Sequence, residues 1–158
     1  MSDSIDVLTT AIAAARLQDL DRLRGFVDWP LSGAATIGRA LRGVLERDRA
    51  AVVASGLAEL DAAAAHPEIV AEFLQDVAAR LARAREIRWA EGEARESILA
   101  GVRIPEIPAG LTDEQHERLS ELRQRAAALR DVYLVISDQG QLPVLRAADT
   151  NLLVLISH

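Results

Sequence analysis

The apolar residues fall into four stretches with helical spacing, followed by a tail with a different rhythm. Ile5, Leu8, Ile12, Ala15, Leu20 and Leu23 recur at close to 3.6-residue intervals. This predicts a first helix opened by Ser2, Asp3 or Ser4 and closed near Gly25. Phe26 to Gly33 reads as a loop, because Pro30 pushes Trp29 out of helical geometry. A second helical stretch covers 34–65. Ile37, Leu41, Val44, Leu45 and Val52 share one face, Val53, Leu57 and Leu60 continue on a rotated one, and Ser55-Gly56 marks a kink between them. His66-Pro67 predicts a tight corner, since the residue before a proline is extended and proline suits the first turn of the next helix.

The third stretch runs from Pro67 to Ile98 or Val102. Val70, Leu74, Val77, Leu81 and Ala84 form a good seam, but the same positions then become Arg88, Glu91 and Arg95 before Ile98 and Val102 restore it. A continuous helix of this length would be about 52 Å long. Its charged centre would project into solvent or meet a charged layer in a partner, unless Gly92 breaks it. Residues 103–111, with two Ile-Pro/Pro-Ile alternations, predict an extended polyproline-like strap. Thr112 and Gln115 then make a capping box, and Leu119, Leu122, Ala126, Leu129 and Tyr133 a regular heptad seam on a fourth helix.

The last 26 residues change period. Residues 133–137 and 152–157 are short, apolar and β-branched, which predicts strands. Residues 142–146 make a weaker middle strand that Pro143 confines to an edge or a bulge, with turns at 138–141 and 149–151. Near-continuous apolar strands expect burial on both faces. Helices covering the sheet, a second subunit, or the remainder of a longer protein of which this is a fragment would each supply it. The fold expected is mainly α (α+β): a helical bundle or long antiparallel helical hairpin with a small C-terminal β hairpin or meander. Its regions are 1–102 (helical), 103–111 (Pro/Gly linker) and 112–158 (helix plus strands), packed as one compact unit.

Composition narrows the chemistry. The chain of 158 residues has no cysteine and no lysine, 18 arginines, 29 alanines and a net charge of −6. Disulfides, thiolate metal sites, Schiff-base chemistry and a phosphate-loop lysine are therefore excluded. No apolar run is long enough to span a membrane, and no signal-peptide pattern opens the chain, which together predict a cytoplasmic protein. The acidic balance disfavours nucleic acid and anionic membranes as partners. Residues 80–103 carry six arginines around Trp89, but four glutamates offset them, short of a basic footprint.

Candidate sites are few. Asp113-x-x-His116 has the spacing of a carboxylate–histidine ligand pair but no second such pair to complete a di-metal set. Glu86, Glu91, Glu93 and Glu96 scatter around a helix axis, with arginines at ion-pair spacing. No nucleophile elbow, phosphate loop or dinucleotide fingerprint is present. No cofactor and no metal are therefore expected. The interaction features are stronger. Trp89, flanked by Arg88, Glu91 and Arg95, either has the role its composition suggests, an interface hot spot, or packs onto the strap at Ile104–Ile107. Leu119, Leu122, Leu129 and Tyr133 would pack on the third helix or equally serve as a dimer seam, and Leu153 and Leu155 would serve as a shared strand. Trp29-Pro30 reads as a core plug. These features predict a non-enzymatic, self-associating interaction or scaffold module, whose partner is itself or another protein. The alternative is a regulatory domain relaying a signal through 112–132 into the C-terminal strands, and a carboxylate enzyme comes third.

Overall fold

A computed structural model of the protein describes residues 2–147 and 152–155. The turn expected at 149–151, the end of the last strand at 156–158, and the side chains of the capping candidates Ser2 to Ser4 and of Ile5 lie outside the described residues. The chain is mainly helical with one small antiparallel sheet.

The first helix, α1, is Ser2–Arg16, and a separate short helix, α2, is Leu20–Arg24. The stripe predicted one helix here, and its interruption has a local cause. Gln18 adopts φ 56°. The Gln18 N–H donates to Ala15 O at 3.1 Å and the Asp19 N–H to Ala14 O at 3.0 Å, the Schellman pattern that ends a helix. Asp19 then caps α2 by accepting from the Arg22 N–H. No glycine or proline announces this stop.

Helix α3 is Trp29–Ala40, so most of the expected 26–33 loop is helical: Pro30 lies in the first turn and the Asp28 carboxylate accepts from Leu31 N–H. Two single 3₁₀ turns, Leu41–Gly43 and Glu46–Asp48, interrupt what the sequence suggested was one helix over 34–65, and α4 is Arg49–Ala65. His66 is extended and Pro67 opens α5, Pro67–Ala82.

The long third helix does not form. After α5 the chain makes strand β1, Glu86–Trp89, and only then helix α6, Gly92–Val102. Gly92 has φ +59°, a conformation that glycine adopts without strain. The charges that spoiled the helical seam belong to a strand. Glu86 and Arg88 alternate with Ile87 and Trp89, exposed against half-buried, a period of two. Residues 103–111 connect α6 to the next helix without helix or strand, with a turn at 109–110. They are held by Ile104 in the core, by the Arg123 guanidinium donating to Ile104 O (3.1 Å) and Pro105 O (2.7 Å), and by Arg49–Glu106 at 2.9 Å. Helix α7, Asp113–Ala127, starts with the predicted capping box. It leads through Ala128 into β2, Leu129–Ser137, then β3, Gly140–Ala147, and β4, Leu153–Leu155.

The sheet order is β1-β2-β3-β4, every neighbour antiparallel. Pro143 therefore sits in an inner strand rather than at the sheet's edge. The described pairing of β3 with β4 begins only at Val144, so the missing N–H costs no described ladder bond.

Over β2, β3 and β4 both faces of the sheet pack against helices, as apolar strands require, while Glu86 and Arg88 leave one face of β1 exposed. Val132, Leu145 and Val154 face a core built from α3, α4, α6 and α7. Their neighbours Tyr133, Val144, Leu153 and Leu155 face a second core with α1, α2 and α5. The helices are thus divided between two faces of the sheet rather than gathered into one bundle or long hairpin, and the longest of them has 17 residues. Helix α7 and strands β2 to β4 share these cores with the helices before them.

Candidate interaction site

The sheet has two edges, and the chain treats them differently. On the outer side of β4, Val27 forms a parallel bridge with Leu153. The Leu153 N–H donates to Phe26 O at 2.7 Å, the Asp28 N–H to Leu153 O at 2.8 Å, and the Leu155 N–H to the Ser32 hydroxyl at 3.1 Å. Ser32 in turn donates to Asp28 O at 2.7 Å. That edge is sealed.

The β1 edge is not. β1 pairs with β2 in the register Glu86↔Ile136 to Trp89↔Tyr133, and the ladder continues with Ala90 N–H donating to Val132 O at 2.9 Å. Ladder bonds through 86, 88 and 90 turn the N–H and C=O of Ile87 and Trp89 outward. Among the described residues nothing pairs with them.

Around this edge lie four of the residues the sequence singled out. Trp89 is half-buried and packs edge-to-face on Tyr133, ring centroids 4.9 Å apart at 82°. It therefore rests on the sheet itself rather than on the strap at Ile104–Ile107. On the opposite face Arg88 lies exposed and grips Glu86 through two hydrogen bonds, 2.9 and 3.2 Å. The hydrogen bond to Glu86, and then its charge, hold the Arg88 guanidinium above its ordinary pKa. Arg95 donates to Arg130 O at 2.8 Å, which ties α6 to the start of β2. Glu91 is exposed at the N-cap of α6. Arg85, just before the strand, pairs with Asp138 at 2.7 Å.

The other six lie inside the chain. Leu119, Leu122 and Leu129 belong to the core around α7, and Tyr133, Leu153 and Leu155 to the core on the other face. Their side chains are taken up by packing within the monomer, which is where a heptad seam leads when the chain has its own partner for it. Leu129 and Tyr133 are also strand residues rather than the end of a helical seam.

The remaining candidates separate. Asp113 and His116 are exposed in the first turn of α7, and Glu91, Glu93 and Glu96 are exposed around α6. Among the described residues no three carboxylates or histidines are placed to hold a metal. Several arginines of 80–103 are engaged by acids or carbonyls, Arg80 with Asp76 among them. No helix among the described residues is long and apolar enough to cross a membrane.

A cleft of about 730 Å³ between α3 and α4 was not anticipated. Trp29 and Phe73, edge-to-face at 4.7 Å, stand in its wall. Its signal in the sequence is small residues at helical spacing, Ser32, Gly33, Thr36 and Ala40 on α3 opposite Ala51, Ser55 and Gly56 on α4. Glycine is needed where the helices meet, since a Cβ at Gly33 would lie 2.3 Å from Leu60 Cδ2 and one at Gly56 2.5 Å from Ile37 Cγ1. Gly56 therefore serves close packing inside a continuous α4, not a kink. Asp28, which caps α3 and bonds Arg125 of α7, is a second residue the pattern did not reveal.

No protein-family model matches this sequence, and no curated protein or solved structure is significantly similar to it.

Proposed function

We propose that the protein is a non-enzymatic interaction module that self-associates by strand addition at β1. The observation that carries this reading is the contrast between the two sheet edges: β4 is sealed by residues 26–28 and Ser32, while the outward groups of Ile87 and Trp89 have no partner among the described residues. An open edge is a template for another strand. Trp89 beside it supplies apolar area next to a charged rim, the composition of an interface centre.

The test is absolute mass by light scattering over a concentration series, with Ile87→Pro as the edge-blocking variant. Proline at 87 removes an outward N–H and no bond to β2. A mass rising from 17.1 kDa toward twice that value is expected for the native chain. A constant monomer mass for Ile87→Pro is expected beside it. A native chain that stays monomeric at every concentration overturns the reading.

The second reading, a regulatory domain signalling from α7 into the sheet, draws on the single residue, Ala128, between α7 and β2, and on the Arg125–Asp28 pair that joins α7 to α3. It predicts a monomer or at most a weak dimer, with C-terminal strands that need a further neighbour, where the first reading predicts a stable oligomer.

A further inference from the structure

We infer that the occupant of the β1 edge is the β1 of a second copy, running antiparallel about a two-fold axis at Ile87. This rests on the self-association reading and specifies its register.

Short, charged edge strands commonly resist pairing. Here the two charges are opposite in sign and two residues apart, Glu86 and Arg88, both exposed on one face of the sheet. A two-fold antiparallel pairing must centre on one residue, because a slip of one residue would set side chains of opposite faces against each other. Centring on Glu86 places glutamate against glutamate. Centring on Arg88 places arginine against arginine. Centring on Ile87 places Glu86 opposite Arg88 of the other copy, twice. It also lets each outward Ile87 N–H donate to the Ile87 carbonyl of the other strand. The bidentate Glu86–Arg88 pair of the monomer is the same pair of charges, free to exchange partners across the axis without leaving either charge alone. The result is a continuous eight-stranded antiparallel sheet, with helices on both faces of each half and a sealed β4 at each end.

The absence of cysteine makes the register readable by cross-linking. Glu86 and Arg88 of opposite copies would form a non-hydrogen-bonded pair, with Cα atoms about 4.5 Å apart, inside the range that a disulfide spans. Glu86→Cys and Arg88→Cys are therefore prepared separately, oxidised alone and as an equimolar mixture, and run on a non-reducing gel, with light scattering on the native chain. The mixture retains one Glu–Arg pair per dimer. Cross-linked dimer is expected in the mixture, at least ten-fold above either protein alone. Cross-linking of Arg88→Cys alone, or of Glu86→Cys alone, at the level of the mixture overturns the register. A dimer in light scattering with no cross-link in any tube also overturns this inference, while leaving self-association standing. A native monomer overturns both. Charge reversal gives an independent arm: Glu86→Arg or Arg88→Glu alone weakens association at least ten-fold, and the two together in one chain restore it, with unchanged thermal melting as the check on folding. Failure of the double variant to recover counts against the Glu–Arg pairing.

Discussion

Asp28 is the residue with the most consequences per atom. It is 5% exposed. Its carboxylate caps α3 at Leu31 and bonds Arg125, its carbonyl accepts from Ser32, and its N–H donates to β4. Asp28→Ala is expected to lower unfolding free energy by about 3 kcal/mol, combining a lost cap with a broken charged hydrogen bond. The Arg125 side chain is 42% exposed, so solvent screening trims its share of that loss. Asp28→Asn keeps the cap and is expected to cost about half as much; urea denaturation of the three proteins checks the ranking. Little of this was readable beforehand. An aspartate two residues before a proline has the right chemistry for an N-cap, but Pro30 read more simply as the mark of a loop. The partner, Arg125, is 97 residues away, beyond any local pattern.

At the scale of elements, legibility followed the uniqueness of the local signal. The starts of α5 and α7 were readable because a proline start and a capping box each opened an apolar seam, but both helices end earlier than their seams suggest. The break at 17–19 was hidden because Gln18 takes a left-handed conformation usually given to glycine. β1 was hidden because four residues cannot outvote a helical seam on either side, although the alternation of Glu86, Ile87, Arg88 and Trp89 was present. Glycines at 33, 38 and 43 recur without helical period, and the structure gives them different duties. A Cβ at Gly38 would lie 2.3 Å from Val102 O, on the backbone where α6 ends, whereas Gly43 meets nothing within 4 Å. Gly38→Ala is expected to cost roughly 2–3 kcal/mol through overpacking of α3 against α6. Gly43→Ala is expected to change stability by less than about 0.5 kcal/mol. Thermal melts of the pair decide it, and equal losses would contradict the close contact.

For the whole molecule, the apolar character of the C-terminal strands carried real information: it called for cover on both faces, and helices supply it. The division of helices between the faces was not legible, since it depends on which seams find each other in space. Of the candidate site, Arg88 and Trp89 lie on opposite faces of the open β1 strand, Glu91 is the N-cap residue of the helix that follows and Arg95 bonds Arg130 O, while the leucines and Tyr133 are core. An apolar residue at regular spacing reads the same whether its partner is another chain or its own. Should the glutamates of α6 serve a metal-dependent reaction, divalent ions would raise the melting temperature. Mg²⁺, Mn²⁺ and Zn²⁺ are each expected to leave it unchanged, and a stabilisation lost in Glu91→Ala or Glu93→Ala would revive the enzyme reading.

The seal on β4 also bears on how the protein is made. Leu155 and Ser32 are 123 residues apart, so that edge cannot close before residue 155 is available. A contact of such long range forms late, after most of its loop-closure cost has been met. Until then the outer side of β3 is a bare edge flanked by apolar side chains, the kind of surface that draws unfinished chains together. Prematurely terminated products lacking 152–155 would keep that surface permanently. A chain lacking 152–155 is therefore expected to be less soluble than one that carries them, because the outer edge of β3 stays uncovered.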